Sequence, residues 1–326
     1  MNDYVSIRRF RTAIAIFSFP FLLISCEHKE LCEHHSAKQS VRVVFDWRDA
    51  PQADPGGMVL YMYDSDSGKS ERFDFSGKEG GRIEIEPGNW HLVSYNNDTE
   101  AVSVSGQSAF DSHFLFTREG NPLEGALGNS ADVPPRAKGA EDELVRISPD
   151  MLWGCSEERH PLIPAPEKET VITLFPHQLV CTYSFEIRNV KNLGRVTQMC
   201  GVITGMAPGL YPSDESLHIE PTTIPFPAQK GDKTTITGSF LTFGHHDEVT
   251  DPHRMLIYVW MDNGEKYVYG IDSQKFDVTS HVHSAPDRLN VHIVIDGLDL
   301  PTPIDNGSGF KPSADDWIDE NHDIEL

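Results

Sequence analysis

Two short stretches, Glu71-Arg72-Phe73-Asp74-Phe75 and Arg82-Ile83-Glu84-Ile85-Glu86, alternate charged and apolar residues at a period of two. Successive side chains of a strand point to opposite faces, so this pattern sets one face on a core and the other in water. The same style recurs along the chain. Residues 41–45 (VRVVF), 58–63 (MVLYMY), 90–96 (WHLVSYN), "SHFLFT" and "DELVRI" read as strands in the first half. "TVITLF", "LVCTYSFEI", "VTQMCGVIT", "TTITGSFLTF", "RMLIYVWM", "KYVYGI" and "LNVHIVI" read as strands in the second. Turn signals separate them: Pro55-Gly56-Gly57, Asp66-Ser67-Gly68, Gly80-Gly81 and Pro87-Gly88-Asn89. No segment carries a sustained apolar stripe at 3.6 residues. Many short strands with regular turns predict an all-β chain built of antiparallel β-sandwiches.

The chain begins differently. Arg8, Arg9 and Arg11 precede an uncharged run from Thr12 to Ile24. A membrane-spanning helix needs roughly 20 apolar residues, so this run is too short to span and has the layout of a secretory signal. It closes on Leu23-Ile24-Ser25-Cys26, the lipobox pattern of bacterial lipoproteins. Residues 1–25 are therefore expected to be a lipoprotein signal peptide cut between Ser25 and Cys26, with Cys26 acylated (palmitate or a similar chain) on its sulfur. Each buried CH₂ of such chains contributes about 0.8 kcal/mol, so two or three chains anchor durably. Residues 26–39 then read as a polar tether. The Gly- and Pro-rich stretch 119–141 reads as a long loop, and the Pro-rich, charged stretch 156–168 as the boundary between two domains. One N-terminal sandwich is expected over 40–160 and a C-terminal one over 168–326. The acidic tail, DDWIDENHDIEL, fits a final strand or a flexible end.

Charge excludes one class of partner. The chain carries 27 Lys and Arg against 50 Asp and Glu, a net charge of −23. Loss of residues 1–25 removes Asp3 and three arginines, net +2, and leaves −25. Nucleic-acid affinity rests on cationic side chains that release counterions, which this chain lacks. Anionic lipid would repel it too, so membrane attachment falls to the acyl chains. Beyond Cys26 stand Cys32, Cys155, Cys181 and Cys200, without CxxC or zinc-type spacing. An exported compartment permits disulfides. Cys181 and Cys200 lie near enough to pair, and buried free thiols are the alternative.

No catalytic constellation emerges. Residues 65–70 (SDSGKS) approach a phosphate loop, but Tyr63 stands where its first glycine is needed. Residues 64–68 (DSDSG) approach a calcium loop, but its last position is Phe75 rather than Glu. A hairpin turn accounts for both. His245, His246, Asp247 and Glu248 lack the helical spacing of a metal site. His281 and His283 would share a face if they lie on a strand, with His292 as a neighbour. His28, His34 and His35 stand in the tether. The five tryptophans read as core or half-core. The expectation is a non-enzymatic protein with no cofactor and no metal.

At "IEIEPGNWHLVSYN" (83–96) the chain resembles the strand–turn–strand core of fimbrillin-like lipoproteins of Bacteroidetes. Residues 183–214, with "EIRNVKNL" and "GMAPG" within them, resemble a Bacteroidetes lipoprotein family of unknown function (DUF5119 type). "IPFPAQ", "GSFLTFG", "FDVT" and the closing "DDW" agree with it. The resemblance covers most of residues 40–326. It implies two tandem transthyretin-like (Ig-like, Greek-key) β-sandwiches. It also implies a lipid-anchored protein of the outer membrane and cell surface. Such a protein would serve as an anchor or accessory subunit of a fimbrium and meet other fimbrial subunits by strand complementation. The alternative is a surface module that binds a glycan or a host protein without polymerising, with loops 119–141 and 243–254 as its contacts.

Overall fold

The first described strand, β1 (Gln39–Phe45), turns Val41, Val43 and Phe45 inward and its polar residues outward. The computed structural model describes residues 38–128, 132–164, 169–246, 252–302 and 316–320. Ser25, Cys26, Cys32 and the tether lie outside them. Four strands follow: β2 (Gly57–Asp64), β3 (Ser70–Ser76), β4 (Gly80–Ile85) and β5 (Gly88–Asn96). The turn from β2 to β3 is closed by Asp64, whose Oδ1 accepts from the backbone N–H of Ser67 at 2.6 Å and of Asp66 at 3.1 Å. Gly68 completes it at φ +69°, so residues 64–69 are a hairpin turn.

The chain then leaves the first sandwich. It makes β6 (Val102–Ser105), β7 (Phe114–Thr117), a one-turn helix α1 (Glu124–Leu127) and β8 (Leu144–Val145). It returns as β9 (Trp153–Leu162), β10 (Thr170–Leu174) and β11 (His177–Gln178). β1 is central to a three-stranded sheet, antiparallel to β4 and parallel to β10. The facing sheet runs β11-β9-β5-β2-β3. The first half of the 156–168 stretch is thus strand β9, and Thr170–Leu174, beyond that stretch, completes the first sandwich.

The second half comprises β12 (Cys181–Lys191), β13 (Val196–Met206), β14 (Gly209–Tyr211), β15 (Ser216–Leu217), β16 (Thr222–Pro227) and β17 (Gln229–Lys230). β18 (Ile236–Thr242), β19 (Met255–Met261), β20 (Lys266–Tyr269), helix α2 (Thr279–His283), β21 (Asn290–Asp299) and β22 (Trp317–Asp319) complete it. β12 repeats the place of β1: antiparallel to β18 and parallel to β21. The order β20-β19-β13-β16 repeats β9-β5-β2-β3. One seven-strand topology is therefore used twice in an all-β chain.

The runs that failed to alternate are buried on both sides. In β2, Met58, Leu60 and Met62 enter the first sandwich core. Val59, Tyr61 and Tyr63 face the opposite way, onto a small sheet of order β15-β14-β7-β6. In β19, Met255, Ile257 and Val259 enter the second core. Leu256 and Tyr258 face outward and are covered by Leu123, Ala137 and Ala140 of the 118–147 excursion. The Tyr258 hydroxyl donates to the Pro135 carbonyl at 2.8 Å, and Arg136 donates to Thr223 Oγ1 at 3.0 Å. β8 adds itself in parallel to β16. The expected 119–141 loop is thus in large part a strap over the second sandwich.

Cys155, Cys181 and Cys200 are free thiols. Burial pushes them up, Cys155 and Cys200 to about 12 and Cys181 to about 11. Trp90 is fully buried, whereas Trp47, Trp153, Trp260 and Trp317 are half-buried.

Candidate functional site

A strand with an unpaired outer edge is a template for another chain, so the sheet edges are where a strand-pairing protein would act. Edge β3 carries the ion pairs Lys69–Glu71 (2.7 Å) and Arg72–Asp74 (2.8 Å), a charged surface that discourages pairing. Edge β18 is covered by the two-residue β17, and β9 by the two-residue β11.

The edge of β20 is closed differently, by the chain's last described strand. β22 pairs with it in parallel, Trp317 opposite Lys266 and Asp319 opposite Val268, and the Glu320 N–H donates to the Val268 carbonyl at 3.3 Å. Its main side-chain hold is Trp317. That ring stands edge-on to Tyr258 (5.3 Å between centroids) and Trp260 (5.1 Å), with Lys266 Nζ 5.7 Å from its centre. Lys266 is itself fixed by Asp132 at 2.8 Å. The indole Nε1 finds no hydrogen-bond partner among the described residues.

Magnitudes decide how firmly this strand is held. Ordering the five residues 316–320 costs about 1–2 kcal/mol each in backbone freedom. Partial burial of Trp317 and Ile318 contributes at most about 1.5–3 kcal/mol per side chain, each edge-on ring contact about 0.5–1.5 kcal/mol and each ladder bond about 1 kcal/mol. The two sides nearly cancel. Burial, then the charges of Glu320 and Asp272, raise the Asp319 carboxyl above its ordinary range. β22 is a weakly held closing strand over an aromatic slot.

The histidines fall in several places. His281 and His283 lie on helix α2 rather than on a strand, because Val282 between them plugs the second core beside Phe276 and Val278. His292 is on β21 and contacts Ser184 Oγ at 2.9 Å. His246 Nε2 meets the His218 carbonyl at 3.0 Å, and Asp247 and Glu248 lie outside the described residues. His245 and His283 meet a residue with no sequence signal, His253. The three ring centroids are 5.1–5.3 Å apart, and His253 Nε2 is 3.1 Å from His283 Nε2. His253 Nδ1 bonds the Thr204 carbonyl at 3.0 Å, and Tyr183 Oη holds His245 Nδ1 at 2.9 Å. Burial keeps His253 below the ordinary histidine range. Gly205, at φ +76°, leaves room for it: a Cβ there would lie 2.7 Å from His253 Nδ1. Among the described residues no three His, Cys, Asp or Glu side chains are placed to hold a metal ion. The cluster latches the 243–246 loop and α2 onto the end of β13.

A second polar knot joins the first sandwich to the small sheet. His113 is fully buried, with Tyr63 Oη 2.6 Å from Nδ1 and Tyr95 Oη 3.0 Å from Nε2. Burial lowers its pKa to about 4.

Residues 25–227 match the family described as Domain of unknown function (DUF5119). The chain belongs to this family. This DUF5119 protein is 22% identical over 244 residues to “Putative fimbrium anchoring subunit Fim4B” of Bacteroides ovatus, a match covering 74% of this chain and 67% of that one. Its fold is similar to a “putative adhesin” from Bacteroides ovatus, with TM-score 0.58, 18% identity and coverage of 82% and 94%. The fimbrial anchor protein Mfa2 from Porphyromonas gingivalis is similar at TM-score 0.47 and 11% identity, over 79% and 91% of the two chains. The likeness to the adhesin concerns the fold.

Proposed function

We propose that this DUF5119 protein is a lipid-anchored cell-surface protein of the outer membrane, an anchor or accessory subunit of a fimbrium that joins other fimbrial subunits by strand complementation. The observation that carries the reading is the β20 edge. A partner strand with an aromatic residue in the place of Trp317 would replace three weakly held residues and gain a longer ladder. The relative named for fimbrium anchoring supports the same reading. The lipobox supports the membrane attachment, with Cys26 as the acylated residue and Ser25 before the cut.

The test captures the tagged protein from gently solubilised cells and runs it unboiled. A high-mass ladder that collapses on boiling is expected, and its other chains name the partner. A single monomer band would refute assembly. Separately, Cys26→Ala is expected to move the protein into soluble fractions, and a variant that stays with membranes would refute lipid anchoring.

A further inference from the structure

An open cleft of about 470 Å³, within the range of small-molecule sites, lies beside β16 and β8, at the opposite edge of their sheet from β22. Its walls come from three chain segments: β7, the 139–146 stretch and the 208–222 stretch. On β7, Leu115 and Thr117 point into the protein, which leaves Phe114 and Phe116 on the outer face of the small sheet. Their rings stack at 5.4 Å. Phe114 also packs on Tyr211 at 4.9 Å and on His218 at 5.3 Å, between centroids. These four rings are half-buried and form an aromatic platform, with Phe114 and His218 lining the cleft.

Around the platform stand groups of both signs. The carboxylates of Glu141, Asp142 and Glu220 are exposed at the cleft. Arg146 is fixed in the wall, its guanidinium donating to the Thr117 carbonyl and lying 5.7 Å from the centre of Phe116. The adjacent Glu143 is already committed, accepting from Thr223 Oγ1 at 2.7 Å and from the Gly205 N–H at 3.2 Å, which stiffens that wall. An aromatic face beside converging donors and acceptors suits a ligand with an apolar face and a hydroxyl edge. Four carboxylates, Glu143 included, against one guanidinium repel an anionic sugar. The same excess of carboxylates attracts a cationic side chain, so a basic peptide is the rival occupant that the test must separate.

We propose that this cleft binds a short neutral saccharide, with one sugar ring on Phe114 and its hydroxyls shared among Glu141, Asp142, Glu220 and Arg146. The cleft lining includes no residue of β20 or β22, so the two sites can be probed by different substitutions.

The test uses the full chain in detergent micelles and saturation-transfer NMR. The probes are mannotriose, cellotriose and triacetylchitotriose as neutral sugars, trigalacturonate as an anionic sugar, and trilysine as a basic peptide. Binding of at least one neutral trisaccharide is expected, with none of trigalacturonate. Phe114→Ala and Glu220→Gln should each weaken it about tenfold. Glu220 is exposed, so its substitution leaves the fold intact if Phe114→Ala does not. The proposal is overturned if no neutral trisaccharide binds at up to about 10 mM. It is also overturned if both variants bind as the parent does, or if trilysine alone binds.

Discussion

His113 offers a sharp test of how the first sandwich is joined to the small sheet. Its two ring nitrogens contact Tyr63 Oη and Tyr95 Oη, and its ring lies 4.7 Å from that of Tyr61. A neutral ring can donate at one nitrogen and accept at the other, which satisfies both hydroxyls. A protonated ring would bring a buried charge with no carboxylate beside it. Burial accordingly lowers the folded-state pKa from 6.5 to about 4. Because the folded value is depressed, the unfolded chain binds the proton more readily. The stabilisation from the neutral ring is full above about pH 6.5 and is lost as pH falls towards 4. A tenfold difference in proton affinity between the two states is worth about 1.4 kcal/mol, so the loss over that window is about 3 kcal/mol. His113→Gln keeps a donor and an acceptor but does not titrate. Urea unfolding followed by tryptophan fluorescence, at several pH values from neutral down to 4, would compare the two. The parent protein should be the more stable at neutral pH, and the gap should close by about 3 kcal/mol as the solution is acidified. Parallel pH profiles for parent and variant would refute the argument, since the shared slope would then come from other groups.

Three further outcomes follow from the packing. Trp317→Ala should release β22, seen as faster amide exchange at Val268, whose backbone groups face β22, while global stability falls by no more than about 1 kcal/mol because the strand is near break-even. Gly125→Ala should destabilise by about 1–3 kcal/mol in thermal or urea unfolding, because its Cβ would lie 2.3 Å from the Phe226 carbonyl oxygen. Cys155 and Cys200 should resist iodoacetamide at pH 8 in the folded protein and react once urea is added, because burial holds both thiols protonated.

Local pattern carries the strands well and the long-range pairing poorly. Arg82–Glu86 alternates because one face of β4 meets a core and the other meets water, and that cause is local. Thr170–Leu174 is equally legible as a strand, yet its partner is β1, far back along the chain. Alternation fixes which face is buried and says nothing of which edge is met. Residues 279–283 mislead for another reason: β-branched Thr279 and Val282 favour a strand, but the core is filled by one inward Val282 on a single helical turn. The histidine latch is half visible. His245 and His283 stand out beside a second histidine on their own segments, whereas His253 sits in an unpatterned loop and gains its meaning only when the backbone brings it beneath Gly205. The strap over the second sandwich reads as a loop because its Gly, Pro and Ala residues form little regular structure, although Leu123, Ala137 and Ala140 are buried.

The position of β1 has a mechanical consequence. It runs parallel to β10 on one side and antiparallel to β4 on the other, so both its edges are bonded. Tension applied to the chain just before Gln39, along the strand, would drag β1 past both neighbours at once. Shear of this kind strains the rungs of both ladders together, whereas peeling a peripheral strand breaks them one after another. A pull entering through Gln39 along the strand would thus load both ladders of β1 in shear.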